Sequence, residues 1–187
     1  KNRNLSKSNP LRVALLSRLV PKKNLLGAIE ALHQVESPIQ FDVYGPHEDP
    51  AYVTQCRSLA DSLPDHVQID FHGAIPHTEV QATLSKSDVF LFPTMGENFG
   101  HVIAESLAAG CVPIISNQTP WRNLQSQGIG WDLPLAADLF SQALDDCAKM
   151  PEIELMRMKQ AAVQLAINRH TDTKQAVDAY VHLFGAH

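Results

Sequence analysis

Two carboxylates and two cations carry most of the chemistry legible in this chain. Glu97 stands in the turn Pro93-Thr94-Met95-Gly96-Glu97-Asn98-Phe99-Gly100, and Glu105 follows inside the helix that begins near Phe99. Counting histidine as neutral, Glu105 is the only charged side chain between Asn98 and Trp121, and its helical neighbours are Val102, Ile103, Leu107 and Ala108. An ionised carboxylate in apolar surroundings is costly unless something hydrogen-bonds it. A vicinal diol such as ribose can supply two hydroxyl donors; a core Arg, Lys or His can serve as well. Glu97 can face a polar ligand group, or it can be a solvated turn residue beside the helix dipole. Upstream, Arg18 and Lys23 are the cations of the first strand-to-helix loop. A guanidinium fork and an ammonium point charge together suit the oxygens of a diphosphate; the alternative is a pair of solvated surface charges. The turn 96–100 opens a helix, whose free N–H groups and dipole favour an anion.

These side chains can meet only if the elements between them bring loops to one edge. Short apolar runs at Leu11–Leu16, Ile39–Tyr44, residues 67–71, residues 88–92 and Val112–Ser116 read as strands. Helical stretches alternate with them: one capped by Asn24 and carrying Leu25, Leu26, Ile29, Leu32 and Val35, then residues 50–62, 77–86 and 99–110. Such alternation predicts an α/β domain, a parallel sheet covered by helices on both faces in three layers. Past Ser116 the chain becomes irregular, with Pro120, Gly128, Gly130 and Pro134 close together. From Ala136 onward it reads as C-terminal helices, with separate segments at 153–167 and 173–184. In an open α/β sheet ligands bind outside the carboxyl ends of the strands. That rule gathers the loops 17–23, 45–49, 73–76 and 94–100, and with them Arg18, Lys23, Glu97 and Asn98, on one edge.

Composition narrows the classes. The 187 residues suffice for one sizeable domain with a real core, and the 44% hydrophobic and 19% charged content is ordinary for a globular chain. A net charge of −5 gives no support for nucleic-acid binding. The three cysteines form no C-x-x-C pair, which favours a reducing compartment and gives no zinc motif. The nine histidines fall in no H-x-x-x-H or H-E-x-x-H arrangement, so no metal site is expected. No apolar run reaches the roughly 18 residues of a membrane span. Residues 1–10 are polar, end in Pro10, and read as a linker rather than a signal peptide. There is no G-x-G-x-x-G and no G-x-x-x-x-G-K-[ST], which argues against a dinucleotide dehydrogenase and a P-loop hydrolase. Cys111 reads as packing, Trp121 and Trp131 as core cover, and His101 as either packing or a ligand contact. The residues alone lead to an α/β domain that binds a diphosphate-bearing ligand with a diol.

The E-x7-E pair in Gly96-Glu97-Asn98-Phe99-Gly100-His101-Val102-Ile103-Ala104-Glu105, followed by an apolar strand, resembles the signature of the retaining GT-B glycosyltransferases of family 4. The match is to their C-terminal, donor-binding domain, a Rossmann-like half of the GT-B fold. Ser17-Arg18-Leu19-Val20-Pro21-Lys22-Lys23-Asn24 is similar to the G-R-L-x-x-x-K-G loop of that family, and the likeness extends over about residues 11–150. The resemblance implies that Arg18 and Lys23 bind the diphosphate of a nucleotide-sugar donor (UDP- or GDP-sugar) and stabilise the leaving nucleotide. It implies that Glu105 holds the ribose, and that Glu97 with the backbone of Asn98, Phe99 and Gly100 holds the donor sugar. Gly73 and Ile75 would face the base, Thr94 would lie beside the phosphates, and Ser17 would border them. Ser17 and Asn24 stand where the family has Gly, and the loop is expected to persist with these small or polar replacements.

By the same resemblance the reaction is metal-independent, needs no cofactor and retains anomeric configuration. An acceptor domain is expected to precede Lys1, with 1–10 as linker and 11–187 as donor domain. The chain by itself would then transfer little sugar. The glycan or lipid-linked acceptor would be bound by that other domain. The usual setting of such enzymes, polysaccharide biosynthesis, implies a cytoplasmic protein in peripheral association with the inner face of the cell membrane. A nucleotide-sensing module, a nucleotide-sugar epimerase of related build and a flavodoxin-like partner-binding domain are the rival assignments.

Overall fold

The computed structural model describes residues 6 and 9–184, with side chains described as far as residue 169. Six strands form one parallel sheet in the order β3-β2-β1-β4-β5-β6. They are β1 (Leu11–Leu16), β2 (Ile39–Tyr44), β3 (Val67–Gly73), β4 (Val89–Phe92), β5 (Val112–Ser116) and β6 (Trp131–Leu133). Burial on both faces explains the unbroken apolar runs: all four residues of β4 and all five of β5 are buried. The chain reverses its winding between β3 and β4, so β1 and β4 are neighbours although they are far apart in sequence. The carboxyl ends of these two strands are where a doubly wound sheet opens its ligand crevice.

Helices α1 (Leu25–Leu32), α2 (Pro50–Ala60) and α5 (Ala137–Lys149) pack together, α1 touching both of the others. Helices α3 (Val80–Leu84), α4 (His101–Ala108) and α6 (Glu152–Phe184) form another group, with α4 against α3 and α6. Asp145 of α5 is buried and accepts from the backbone N–H of Glu36 and of Ser37 (2.9 Å), tying α5 to the loop after α1. These two backbone donors satisfy the carboxylate in place of water.

The expected alternation holds over the first five strands, and four local expectations change. The irregular stretch after Ser116 contains a sixth strand, and Trp131 is part of it. It is too short for a periodic signal. The two helices expected at 153–167 and 173–184 are one continuous helix, since nothing in residues 168–172 is a Pro or Gly that would end it. The helix expected over 77–86 is a 3₁₀ turn (His77–Glu79) followed by the five-residue α3. Val35 lies beyond the end of α1, although it is buried as its spacing suggested.

Candidate active site

The loop after β1 begins with Ser17, whose N–H donates to the carbonyl of Tyr44 and continues the parallel ladder past the strand (3.0 Å). A 3₁₀ turn, Pro21–Lys23, then delivers Lys23 inward and ends at Asn24. Asn24 has a left-handed backbone (φ 58°), its side chain accepts from Gly27 N–H (3.2 Å), and its amide donates to the Pro93 carbonyl (2.9 Å). The left-handed geometry explains why Asn can stand where related loops carry Gly.

The loop after β4 is sewn to this one. Met95 N–H donates to the Lys22 carbonyl (2.9 Å), and the Thr94 hydroxyl lies 3.2 Å from the same oxygen. Thr94 is fully buried and also reaches the Gly96 carbonyl (3.1 Å), so its hydroxyl is spent inside the turn rather than presented at a surface. Glu97 N–H donates to the Gln118 carbonyl (3.0 Å), which fixes the turn from the β5 side. Across the seam, Lys23 Nζ meets Glu97 Oε2 at 2.6 Å, both side chains being largely enclosed. The ammonium also sits 5.4 Å from the centre of the Phe92 ring.

Burial pushes the Glu97 carboxyl up. The hydrogen bond and charge of Lys23, with the N–H groups of Asn98 and Gly100, outweigh this and hold it below its usual 4.5. A carboxylate depressed in the folded state stabilises the fold above its unfolded value and loses that contribution as pH falls through the folded one. Glu97→Gln is therefore expected to be less stable than the parent near pH 7, with the gap closing below about pH 4.5. Urea unfolding of both proteins near neutrality and again at about pH 3 checks this; an unchanged gap would contradict it.

Gly100 caps α4 in the left-handed region (φ 69°), and a Cβ there would come within 2.8 Å of the Trp121 indole nitrogen. That nitrogen donates to the Phe99 carbonyl (3.3 Å). Trp121 is thus the buried strut under the turn, and the Arg169 guanidinium of α6 lies over its ring, with Cζ 4.0 Å from the ring centre. Asn98 and Phe99 are exposed, Phe99 at 74%, and the Phe99 and His101 rings stack at 5.7 Å. The helix starts at His101, two residues later than the sequence suggested.

Arg18 lies mostly in solvent and donates from Nη1 to both oxygens of Glu48, at 3.2 Å each. Glu48 belongs to the loop after β2, a loop expected at this edge without any residue in it being singled out. Gly45 of the same loop donates to the Gly73 carbonyl (2.7 Å), and Gly73 (φ 75°) closes β3, with Ile75 half-buried just beyond. Glu105 departs from expectation. Its side chain is 32% exposed rather than enclosed by apolar groups, because α4 turns Ile103 and Leu107 to the core and Glu105 away from it. The imidazole Nδ1 of His77 lies 3.6 Å from its Oε1. Glu105 also lines a groove of about 580 Å³ with Gln81, Ala108 and Ile167. Arg18, Lys23, Glu97 and Glu105 thus come from the carboxyl-end loops of β1 and β4 and from α4, and the structure brings Lys23 and Glu97 into direct contact. Among the described residues no cluster of His, Cys, Asp and Glu could hold a metal ion.

The sequence profile of the glycosyl transferases group 1 matches residues 1–164. The chain belongs to this family. A phosphatidyl-myo-inositol mannosyltransferase of Mycobacterium tuberculosis is 28% identical over 159 residues, covering 81% of this chain and 40% of that protein. A glycosyltransferase from Rickettsia africae superposes with a TM-score of 0.82 at 19% identity, over 96% of this chain and 49% of that one. The HepE protein of Anabaena, solved in complex with UDP-glucose, superposes with a TM-score of 0.79 at 19% identity, over 94% of this chain and 50% of that one. These structural likenesses establish the fold, a Rossmann-like α/β domain of the kind found in GT-B glycosyltransferases. The chain spans less than half the length of the curated relatives it matches.

Proposed function

We propose that this group 1 glycosyltransferase chain is the C-terminal, donor-binding domain of a retaining, metal-independent family 4 enzyme. A UDP- or GDP-sugar is its donor, and a glycan or lipid-linked acceptor is held by a separate N-terminal domain. The observation that carries the proposal is the Lys23–Glu97 contact at the carboxyl edge of β1 and β4, at the mouth of α4. It sits where a doubly wound sheet binds its ligand. The UDP-glucose bound by HepE and the mannosyl transfer named for the mycobacterial relative support the donor class.

In this reading Arg18 and Lys23 bind the diphosphate. As the bond between sugar and phosphate breaks, negative charge grows on the diphosphate oxygens. Two fixed cations and the N-terminus of α4 stabilise that charge without solvent reorganisation. Glu97, released from part of its bond to Lys23, orients the donor sugar with the backbone of Asn98, Phe99 and Gly100. Glu105 accepts from the ribose hydroxyls once His77 has moved aside, and Gly73 and Ile75 border the base. Ser17 borders the phosphates, and buried Thr94 contributes by shaping the turn rather than by contact. The acceptor attacks from the face that the diphosphate leaves, which retains configuration. The full-length enzyme would work in the cytoplasm in peripheral association with the membrane, and the lipid portions in the names of two relatives, phosphatidyl-myo-inositol and PP-Dol, support the membrane association. Among the described residues no helix is long and apolar enough to cross a membrane.

Calorimetric titration of the chain with UDP, GDP and ADP, each with magnesium and with chelator, tests the proposal. One nucleotide is expected to bind equally well in chelator, and Glu105→Ala to weaken it about tenfold by removing two charge-assisted hydrogen bonds. Binding that needs the metal, or that ignores Glu105→Ala, would contradict the assignment. Proton NMR of the product formed by the full-length enzyme tests retention directly.

A further inference from the structure

Glu48 falls outside every role assigned above, yet it is the one side chain that engages the Arg18 guanidinium among the described residues. It is not a loosely tethered surface glutamate. Its own N–H donates to the Pro46 carbonyl (3.0 Å), and Leu19 N–H, next to Arg18, donates to that same carbonyl (3.0 Å). The following residue, Asp49, caps α2 by accepting from Tyr52 N–H (3.0 Å), and Pro50 opens the helix. Glu48 is therefore held between a closed turn and a capped helix start, and its loop is hydrogen-bonded to the loop that carries Arg18.

The geometry of the pair is one-sided. Both carboxylate oxygens sit on a single terminal nitrogen, Nη1, and leave Nη2 and Nε without a side-chain partner among the described residues. A guanidinium presents five donors in a planar fork, so a bond through one nitrogen tethers that corner and narrows its orientations while the remaining edge stays available. We infer that Glu48 is a positioning residue: it aims the free edge of Arg18 at the diphosphate of the donor and remains bonded when the donor binds. This inference rests on the donor-site assignment above. An exposed arginine otherwise spreads over many rotamers, and ordering it in advance lowers the entropy lost on binding. A carboxylate merely occupying the phosphate position would have the opposite consequence, since its removal would free Arg18 for the ligand.

The test is titration of the parent chain, Glu48→Ala, Arg18→Ala and the double variant with the nucleoside diphosphate that binds and with its monophosphate. Glu48→Ala is expected to weaken diphosphate binding about fivefold, the upper end for an exposed ion pair, and monophosphate binding less than about twofold. In the Arg18→Ala background it is expected to have no further effect, the non-additivity that marks action through Arg18. Tighter binding by Glu48→Ala, unchanged binding, or equal losses for the two nucleotides would overturn the positioning role while leaving the donor site intact. Failure of the parent chain to bind any nucleoside diphosphate would overturn the donor site, and this inference with it.

Discussion

Lys23→Ala is expected to lower turnover by the full-length enzyme by at least about a hundredfold. Of the two cations in the proposed donor site, Lys23 is the more enclosed. Its ammonium is enclosed, touches the Glu97 carboxylate at 2.6 Å and lies over the Phe92 ring, where water screens its charge poorly. Loss of one donor aimed at developing negative charge typically costs about 3 kcal/mol of transition-state stabilisation. Truncation has a second effect, because it strands Glu97 beside the site with a charge that repels the diphosphate. Lys23→Ala/Glu97→Gln removes that repulsion, so its donor affinity is expected to exceed that of Lys23→Ala. Its turnover is expected to remain low, because the leaving group still lacks its cation. Single-turnover rates and donor affinities for the parent and both variants separate the two effects. Turnover of Lys23→Ala within about threefold of the parent would remove Lys23 from catalysis.

The contrast between Lys23 and Glu105 shows what the sequence carried and what it did not. The parallel sheet and the gathering of loops on one edge follow from the alternating apolar runs, whereas the strand order, with its reversal between β3 and β4, is seen only in the structure. Lys23 and Glu97 meet because β1 and β4 are neighbours, and topology alone predicted that edge. The orientation of Glu105 depends on the azimuth of an eight-residue helix with apolar residues around most of its circumference. There periodicity assigns no outward face, and a side chain expected in apolar surroundings stands partly in solvent beside His77. Glu48 was invisible for a different reason. Its meaning comes from a partner thirty positions away, and nothing local distinguishes it from the neighbouring His47 or Asp49. The sixth strand is three residues long, below the length at which alternation can be read.

Gly45→Ala is expected to destabilise the domain by at least about 3 kcal/mol, lowering its midpoint by about 10 °C. Gly45 directly follows β2 at φ 137°, and a Cβ there would lie 1.7 Å from the Ser17 carbonyl oxygen. That obstacle is backbone, so no rotamer relieves it and the ends of β1 and β2 must separate. Separation would strain the Ser17 N–H to Tyr44 carbonyl bond and the Gly45 N–H to Gly73 carbonyl bond, which join three strands at the site edge. Gly73→Ala is the matched control. Gly73 also has a positive φ (75°), but a Cβ there would meet nothing within 4 Å. Its cost should be the left-handed backbone penalty alone, about 1–2 kcal/mol. Equal losses for the two variants in thermal and urea unfolding would show that the close approach at Ser17 is not tight. A much larger loss for Gly45→Ala would mean that β1 and β2 can converge at the Arg18 loop only where the residue after the second strand has no side chain. The spacing that lets Glu48 reach Arg18 would then rest on the same missing methyl group.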